Sequence, residues 1–254
     1  MFDDRPLAEL EAKAYRTKTP TWRWRDVSAV LTERSDVNII AFPGTDSLAN
    51  ALRDAEDWPS FDRRLGVCPF GALQAAKHLT RLIVPTLKPD KPVQPIGHSL
   101  GGWLALQGGV ELALHGYDVL WPVTWGSPKP GCGKFTRLAW RVFRGTPRRW
   151  VNGNDPVPTA PPKDLFFIPL VPYRHATAAV TVGRPSLNPI DCHYLESYQA
   201  AMDAALAFAR ALDPADVGRS ALAADDFAAA LVQTGDLCPP TADPWPSPAS
   251  ASLR

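Results

Sequence analysis

The residues of this chain whose types and spacing suit chemistry begin with Gly97-His98-Ser99-Leu100-Gly101. The apolar run Val93–Ile96 precedes this pentapeptide, and an apolar stretch follows it as far as His115-Gly116. A serine in that position stands where a strand turns sharply into a helix. Small residues at 97 and 101 let strand and helix approach, and the turn forces Ser99 into a strained backbone conformation. Its hydroxyl then stands above the sheet edge, with the partial positive charge of a helix N-terminus behind it. The same five letters also describe a glycine-rich turn with an ordinary capping serine. The strand before, the helix after and the second small pair Gly101-Gly102 favour a nucleophile.

A serine hydroxyl is a poor nucleophile near neutrality and needs an adjacent base. In a strand–turn–helix setting of this kind the acid and then the histidine follow the serine along the chain. Five histidines compete. His78 precedes the serine, His98 points elsewhere in the tight turn, and His115 suits a helix C-terminus. His193 and His175 remain. His193 is favoured because it follows the loop Ser186–Cys192 and opens a predicted helix, while His175 opens the strand-like run Ala176–Val182 and stays in reserve. Asp155, in the turn Asn152-Gly153-Asn154-Asp155-Pro156, is the favoured acid to orient the imidazole, ahead of Asp118, Asp164 and Asp191. Negative charge developing on a carbonyl oxygen needs backbone donors. The N–H of Leu100 is one candidate. Thr45, in the loop Ala41–Ser47 beside Gly44, is the other.

Positioning these groups takes a scaffold. Residues 5–18 are predicted as an amphipathic helix, and Trp22 and Trp24, alternating with Arg23 and Arg25, as a half-buried strand. Further strands are predicted at Val37–Phe42, Val93–Ile96, Val119–Trp125, Arg149–Val151 and Ala176–Val182. Helices are predicted at 47–58, 70–84, from the Gly97–Gly102 turn to about 115, at 134–143 and at 193–212. Strands alternating with helices over 37–212 give an α/β fold with a mostly parallel twisted sheet and helices on both faces. One domain is expected over 1–212. A C-terminal appendage at 213–254 follows, with one helix near Ser220–Gln233 and then a Pro-rich, loosely ordered tail that is dispensable for chemistry.

Composition removes several function classes. The 254 residues carry 27 Lys+Arg against 26 Asp+Glu, a net charge of +1, which argues against bulk nucleic-acid binding. Trp interleaved with Arg at 22–25 is the one local hint of nucleic acid, and its surroundings are not basic. No apolar run is long enough for a membrane span, and the N-terminus lacks the apolar core of a secretory signal, so a cytoplasmic location is expected. The cysteines at 68, 132, 192 and 238 match no metal or redox spacing. No metal and no organic cofactor are expected.

Taken together these segments resemble the class 3 lipase family of α/β-hydrolases, and a bacterial-type member of it. The resemblance runs over about residues 22–210. Gly97–Gly102 matches the family's GHSLGG, Val123–Pro128 is similar to its V-T-F-G-S-P, and Val151–Pro158 resembles the segment that carries the acid. Asp191–Tyr198 resembles the segment that carries the histidine. Ala41–Thr45 is similar to the oxyanion segment, with Pro43 where Arg is more usual. Val67–Phe70 departs from V-H-x-G-F by lacking the His and Gly. The resemblance implies Ser99, Asp155 and His193 as a triad, with Thr45 and Leu100 as oxyanion donors. It implies hydrolysis of carboxylic esters, lipid or lipid-like, with transient contact to a lipid surface. Phospholipid hydrolysis or acyl transfer on the same residues is the nearest alternative, and a non-catalytic binding protein the more distant one. Residues 47–60, with Leu48, Leu52 and Trp58, are either a lid or a fixed surface helix. Their many charges favour soluble esters with short or medium acyl chains.

Overall fold

Ile40 and Phe42 belong to one apolar core and Ile39 and Ala41 to another, the two-residue period of a strand buried on both faces. Around that strand the computed structural model describes residues 3–44, 59–161 and 173–211. Its helices are α1 (Arg5–Tyr15), α2 (Phe70–Ile83), α3 (Leu100–Leu114), α4 (Gly133–Val142) and α5 (Leu195–Ala211). Its strands are β1 (Trp22–Trp24), β2 (Val27–Glu33), β3 (Asn38–Phe42), β4 (Pro59–Asp62), β5 (Gly66–Pro69) and β6 (Val93–His98). They continue with β7 (Val119–Leu120), β8 (Val123–Trp125), β9 (Phe143–Arg144), β10 (Arg148–Asn152) and β11 (Val180–Val182).

Nine of these strands form one sheet in the order β1-β2-β3-β6-β8-β10-β11, with β7 beside β6 and β9 beside β7. The β1–β2 and β2–β3 pairings are antiparallel and every other pairing in this sheet is parallel. Helices α2, α3 and α4 supply Leu79, Ile83, Leu104, Val110 and Phe135 to the core on one face. On the other face, α1 and α5 supply Ala8, Ala14, Leu195, Tyr198 and Met202. This is the expected α/β architecture, with a mostly parallel sheet covered on both sides.

Helix α3 has apolar residues all round, and every residue from Leu100 to Leu112 is buried, as a central helix requires. Helix α1 is tied down at its start. Asp4 is fully buried and accepts Arg148 Nη1 at 2.7 Å and Trp150 Nε1 at 2.9 Å. Gln199 Nε2 of α5 donates to the Ala8 carbonyl at 3.1 Å, and Arg5 Nη2 donates to Asp203 at 2.8 Å. The first helix therefore bridges the sheet and the last helix.

Several expectations need correction. Pro122 divides the predicted Val119–Trp125 strand into β7 and β8, because proline has no N–H to give to a ladder. Only Val180–Val182 of the predicted Ala176–Val182 strand pairs. Strand β2 and the β4–β5 hairpin were not anticipated. Most of β2 is half-buried on both faces, so its residues carry no clean alternation. The last predicted helix begins at Leu195 rather than at His193. Trp22 is buried with Nε1 donating to Thr86, and Trp24 stacks on His78 at 4.3 Å, so both tryptophans of the Trp–Arg run serve packing. The predicted helix at 47–58, Thr45 and the appendage at 213–254 lie outside the described residues, and residues 59–60 of the proposed lid begin β4. No helix of the described residues is long and apolar enough to cross a membrane.

Candidate active site

Strand β6 ends at His98 and helix α3 begins at Leu100, so one residue makes the turn between them. That residue is Ser99, at φ 56° and ψ −127°, in the region that side chains avoid. The turn survives because its neighbours over-determine it. The Ser99 N–H donates to the Trp125 carbonyl at 2.9 Å, and the Gly102 N–H donates back to the Ser99 carbonyl at 2.9 Å. A methyl group added at Gly101 would lie 1.7 Å from the Phe42 carbonyl oxygen, so only glycine lets α3 pack this close to β3. Leu100 opens α3, and the first N–H groups of a helix have no carbonyl of their own turn to bond.

His193 reaches Ser99 from the far end of the sheet. The short 3₁₀ turn Pro189–Cys192 and the start of α5 hold it, with its N–H on the Ile190 carbonyl at 2.9 Å. Asn152, the last residue of β10, donates to the Cys192 carbonyl at 3.0 Å and fixes the turn against the sheet. The imidazole Nε2 lies 2.9 Å from Ser99 Oγ. Its Nδ1 lies 3.0 and 2.9 Å from the two oxygens of Asp155.

Asp155 leaves β10 three residues after Asn152, as the turn Asn152–Pro156 predicts. Besides the imidazole, its carboxylate accepts the Val157 N–H at 2.9 Å and the Tyr198 hydroxyl at 2.6 Å. Tyr198 lies on α5 just beyond His193, and burial beside Asp155 pushes its phenol well above the ordinary range, so it stays a donor. Gly126, at φ +57°, lies beneath the pair. A Cβ there would come within 2.8 Å of Asp155 Oδ2 and 3.0 Å of His193 Nδ1. Ser99, His193 and Asp155 are all buried among the described residues.

The other histidines are accounted for. His175 Nε2 donates to the Pro158 carbonyl at 2.7 Å, and His115 Nδ1 lies 2.8 Å from the Glu111 carbonyl at the end of α3. His98 does point away from Ser99. Its Nε2 contacts the His193 carbonyl at 2.7 Å and its Nδ1 the Tyr15 hydroxyl at 2.8 Å. Burial, and secondly the neighbouring His193, lower its pKa to about 3, so this imidazole is neutral at ordinary pH. Sequence reasoning missed Tyr15, and it placed Gly126 and Tyr198 within motifs without giving the glycine its place beneath the pair or the Tyr198 hydroxyl its bond to Asp155. Of these, the glycine in Trp125-Gly126-Ser127 is the one with a signal short enough to read.

No protein-family profile matches the chain. Among curated proteins it is similar to the secreted mono- and diacylglycerol lipase 2 of Gibberella zeae, with 29% identity over 170 residues, covering 53% of this chain and 42% of the relative. It is also similar to lipase A of Sodiomyces alcalophilus, with 27% identity over 167 residues, covering 51% and 40%. The chain thus spans about two fifths of the length of these relatives. Among solved structures, the propeptide complex of Rhizomucor miehei lipase is similar with a TM-score of 0.53 and 25% identity, over 65% of this chain and 56% of that one. The chain has the α/β-hydrolase fold, and its likeness is to fungal lipases. The bacterial affinity expected from the motifs draws no support from these relatives.

Proposed function

We propose that this lipase-like α/β-hydrolase cleaves carboxylic esters through Ser99, His193 and Asp155. The observation that carries the reading is the unbroken contact from Ser99 Oγ to His193 Nε2 and from His193 Nδ1 to the Asp155 carboxylate. An imidazole held on a carboxylate by Nδ1–H presents a lone pair at Nε2, which is what a base for a serine hydroxyl needs. Ser99 Oγ attacks the ester carbonyl as its proton passes to His193. Asp155 fixes the tautomer and stabilises the imidazolium, and the N–H groups of Leu100 and Thr45 receive the oxyanion. His193 then protonates the departing alcohol. A water, deprotonated by His193, attacks the acyl-enzyme, and His193 returns that proton to Ser99 Oγ as the carboxylic acid leaves, which restores the hydroxyl and the neutral imidazole. No proton or electron pair is left over, so no cofactor is required by the cycle.

The substrate reading follows from the relatives and from charge. The Gibberella relative is a mono- and diacylglycerol lipase by name, which supports a glyceride or similar lipid ester. Asp46, Arg53, Asp54, Glu56 and Asp57 make residues 46–57 strongly polar, which favours esters of short or medium acyl chain over long-chain fat at an interface. A p-nitrophenyl ester series tests both parts. Butyrate and octanoate esters should be hydrolysed with higher kcat/KM than palmitate. Preference for palmitate would overturn the chain-length reading, and no hydrolysis across the series would overturn the ester reading.

A further inference from the structure

Helix α1 carries two polar groups that the ester-cleaving cycle leaves unused, and both end on His98. Glu11 is completely buried, and its Oε1 accepts the His98 backbone N–H at 3.1 Å. Tyr15, four residues later on the same helix, meets the His98 ring at Nδ1, 2.8 Å away. The geometry of the sheet explains why a side chain is needed there. Successive N–H groups along a strand point to opposite sides. The Ser99 N–H goes to Trp125 on the β8 side, so the His98 N–H faces the β3 side. The β3–β6 ladder ends at the Phe42–Gly97 pair, and Pro43 follows. Glu11 supplies the acceptor where the neighbouring strand has run out.

The imidazole extends this contact to the base. The His193 carbonyl can only accept, so His98 Nε2 carries the proton and its Nδ1 accepts the Tyr15 hydroxyl. The two rings, His98 and His193, also lie 4.8 Å apart. One helix therefore grips residue 98, which precedes the nucleophile, and through its ring the backbone of His193.

We propose that Glu11 and Tyr15 are positioning residues that hold His98, and through it Ser99 and His193, in reacting geometry. The proposal rests on the assignment of Ser99 and His193 above. Burial drives the Glu11 carboxyl well above its ordinary pKa and favours the neutral acid. What His98 takes from Glu11 is one acceptor oxygen, and the amide oxygen of glutamine, of the same shape, offers that acceptor.

The test is steady-state hydrolysis of p-nitrophenyl butyrate by Glu11→Gln, Glu11→Leu and Tyr15→Phe, with thermal unfolding and the rate of Ser99 labelling by a fluorophosphonate. Glu11→Gln should stay within about 3-fold of the unsubstituted protein in kcat, because the acceptor is retained. Glu11→Leu should lose roughly 10–100-fold in kcat with KM little changed, since sub-ångström misplacement acts on the chemical step. Tyr15→Phe, which removes one oxygen and keeps the ring, should lose about 3–10-fold in kcat while unfolding at a near-normal temperature. This second variant decides the matter if Glu11→Leu does not fold. Folded Tyr15→Phe with unchanged kcat, or Glu11→Gln as impaired as Glu11→Leu, overturns the proposal alone. An unsubstituted protein that neither hydrolyses nor labels overturns the site assignment and this proposal with it.

Discussion

Ser99→Ala is expected to lower kcat for ester hydrolysis by on the order of 10⁴-fold or more, the usual result of removing the nucleophile from a triad. The reasoning is chemical and structural. Among the described residues, Ser99 Oγ is the hydroxyl that contacts His193 Nε2, so the imidazole proposed as base would lose its partner. The fold should not suffer. Ser99 is buried, its backbone bonds to Trp125 and Gly102 survive the change, and alanine is no worse than serine at φ 56°. Circular dichroism and thermal unfolding of the variant should therefore match the unsubstituted protein. A folded Ser99→Ala protein with near-normal turnover would remove the reaction from this serine.

His193→Ala is expected to be similarly inactive, on the order of 10⁴-fold down in kcat, whereas His175→Ala should keep most of its activity. The two histidines differ in what they hold. His193 joins Ser99 to Asp155, while His175 donates to the Pro158 carbonyl. Removing the His193 ring still leaves Asp155 with the Val157 N–H and the Tyr198 hydroxyl, so the buried carboxylate keeps two donors and the protein should fold. The reverse pattern of activities would mean that the base is His175. Activity should also fall on acidification, because an imidazolium cannot take the serine proton. His98 adds no limb of its own above about pH 3. It does affect stability. Its pKa is depressed in the folded protein, so below the unfolded value the unfolded chain binds more protons, and stability falls as pH drops toward about 3. Rates on the acid side should accordingly be measured where circular dichroism shows the fold intact.

The parts of the site legible in the sequence are those with a local steric or chemical cause. The elbow needs glycine at 101 because a carbonyl of β3 lies where a side chain would be. Asp155 could be read from its turn and His193 from the loop before it. The Thr45 expectation, drawn from the loop after β3, falls outside the described residues. Glu11 was not legible. A carboxylate on an amphipathic helix reads as solvent-facing, and only the end of the β3–β6 ladder gives it a buried partner. Tyr198 closes the Asp191–Tyr198 segment, yet its partner was not legible: its hydroxyl finds Asp155 across 43 residues of sequence. Among the elements, Val119–Trp125 was correctly apolar and wrongly continuous, since apolarity reports burial while Pro122 decides pairing. His175 looked like the start of a strand because Ala176–Val182 is apolar, yet only its last three residues meet β10.

The central claim is that Ser99 is a nucleophile activated by His193. It is tested most directly by treating the full chain with a fluorophosphonate, which phosphonylates activated serines, and locating the adduct by peptide mass spectrometry. One adduct per chain is expected, on Ser99, formed in step with loss of ester hydrolysis and absent from His193→Ala. Ester hydrolysis that persists with Ser99 unmodified, or an adduct carried by a different serine, would contradict the account.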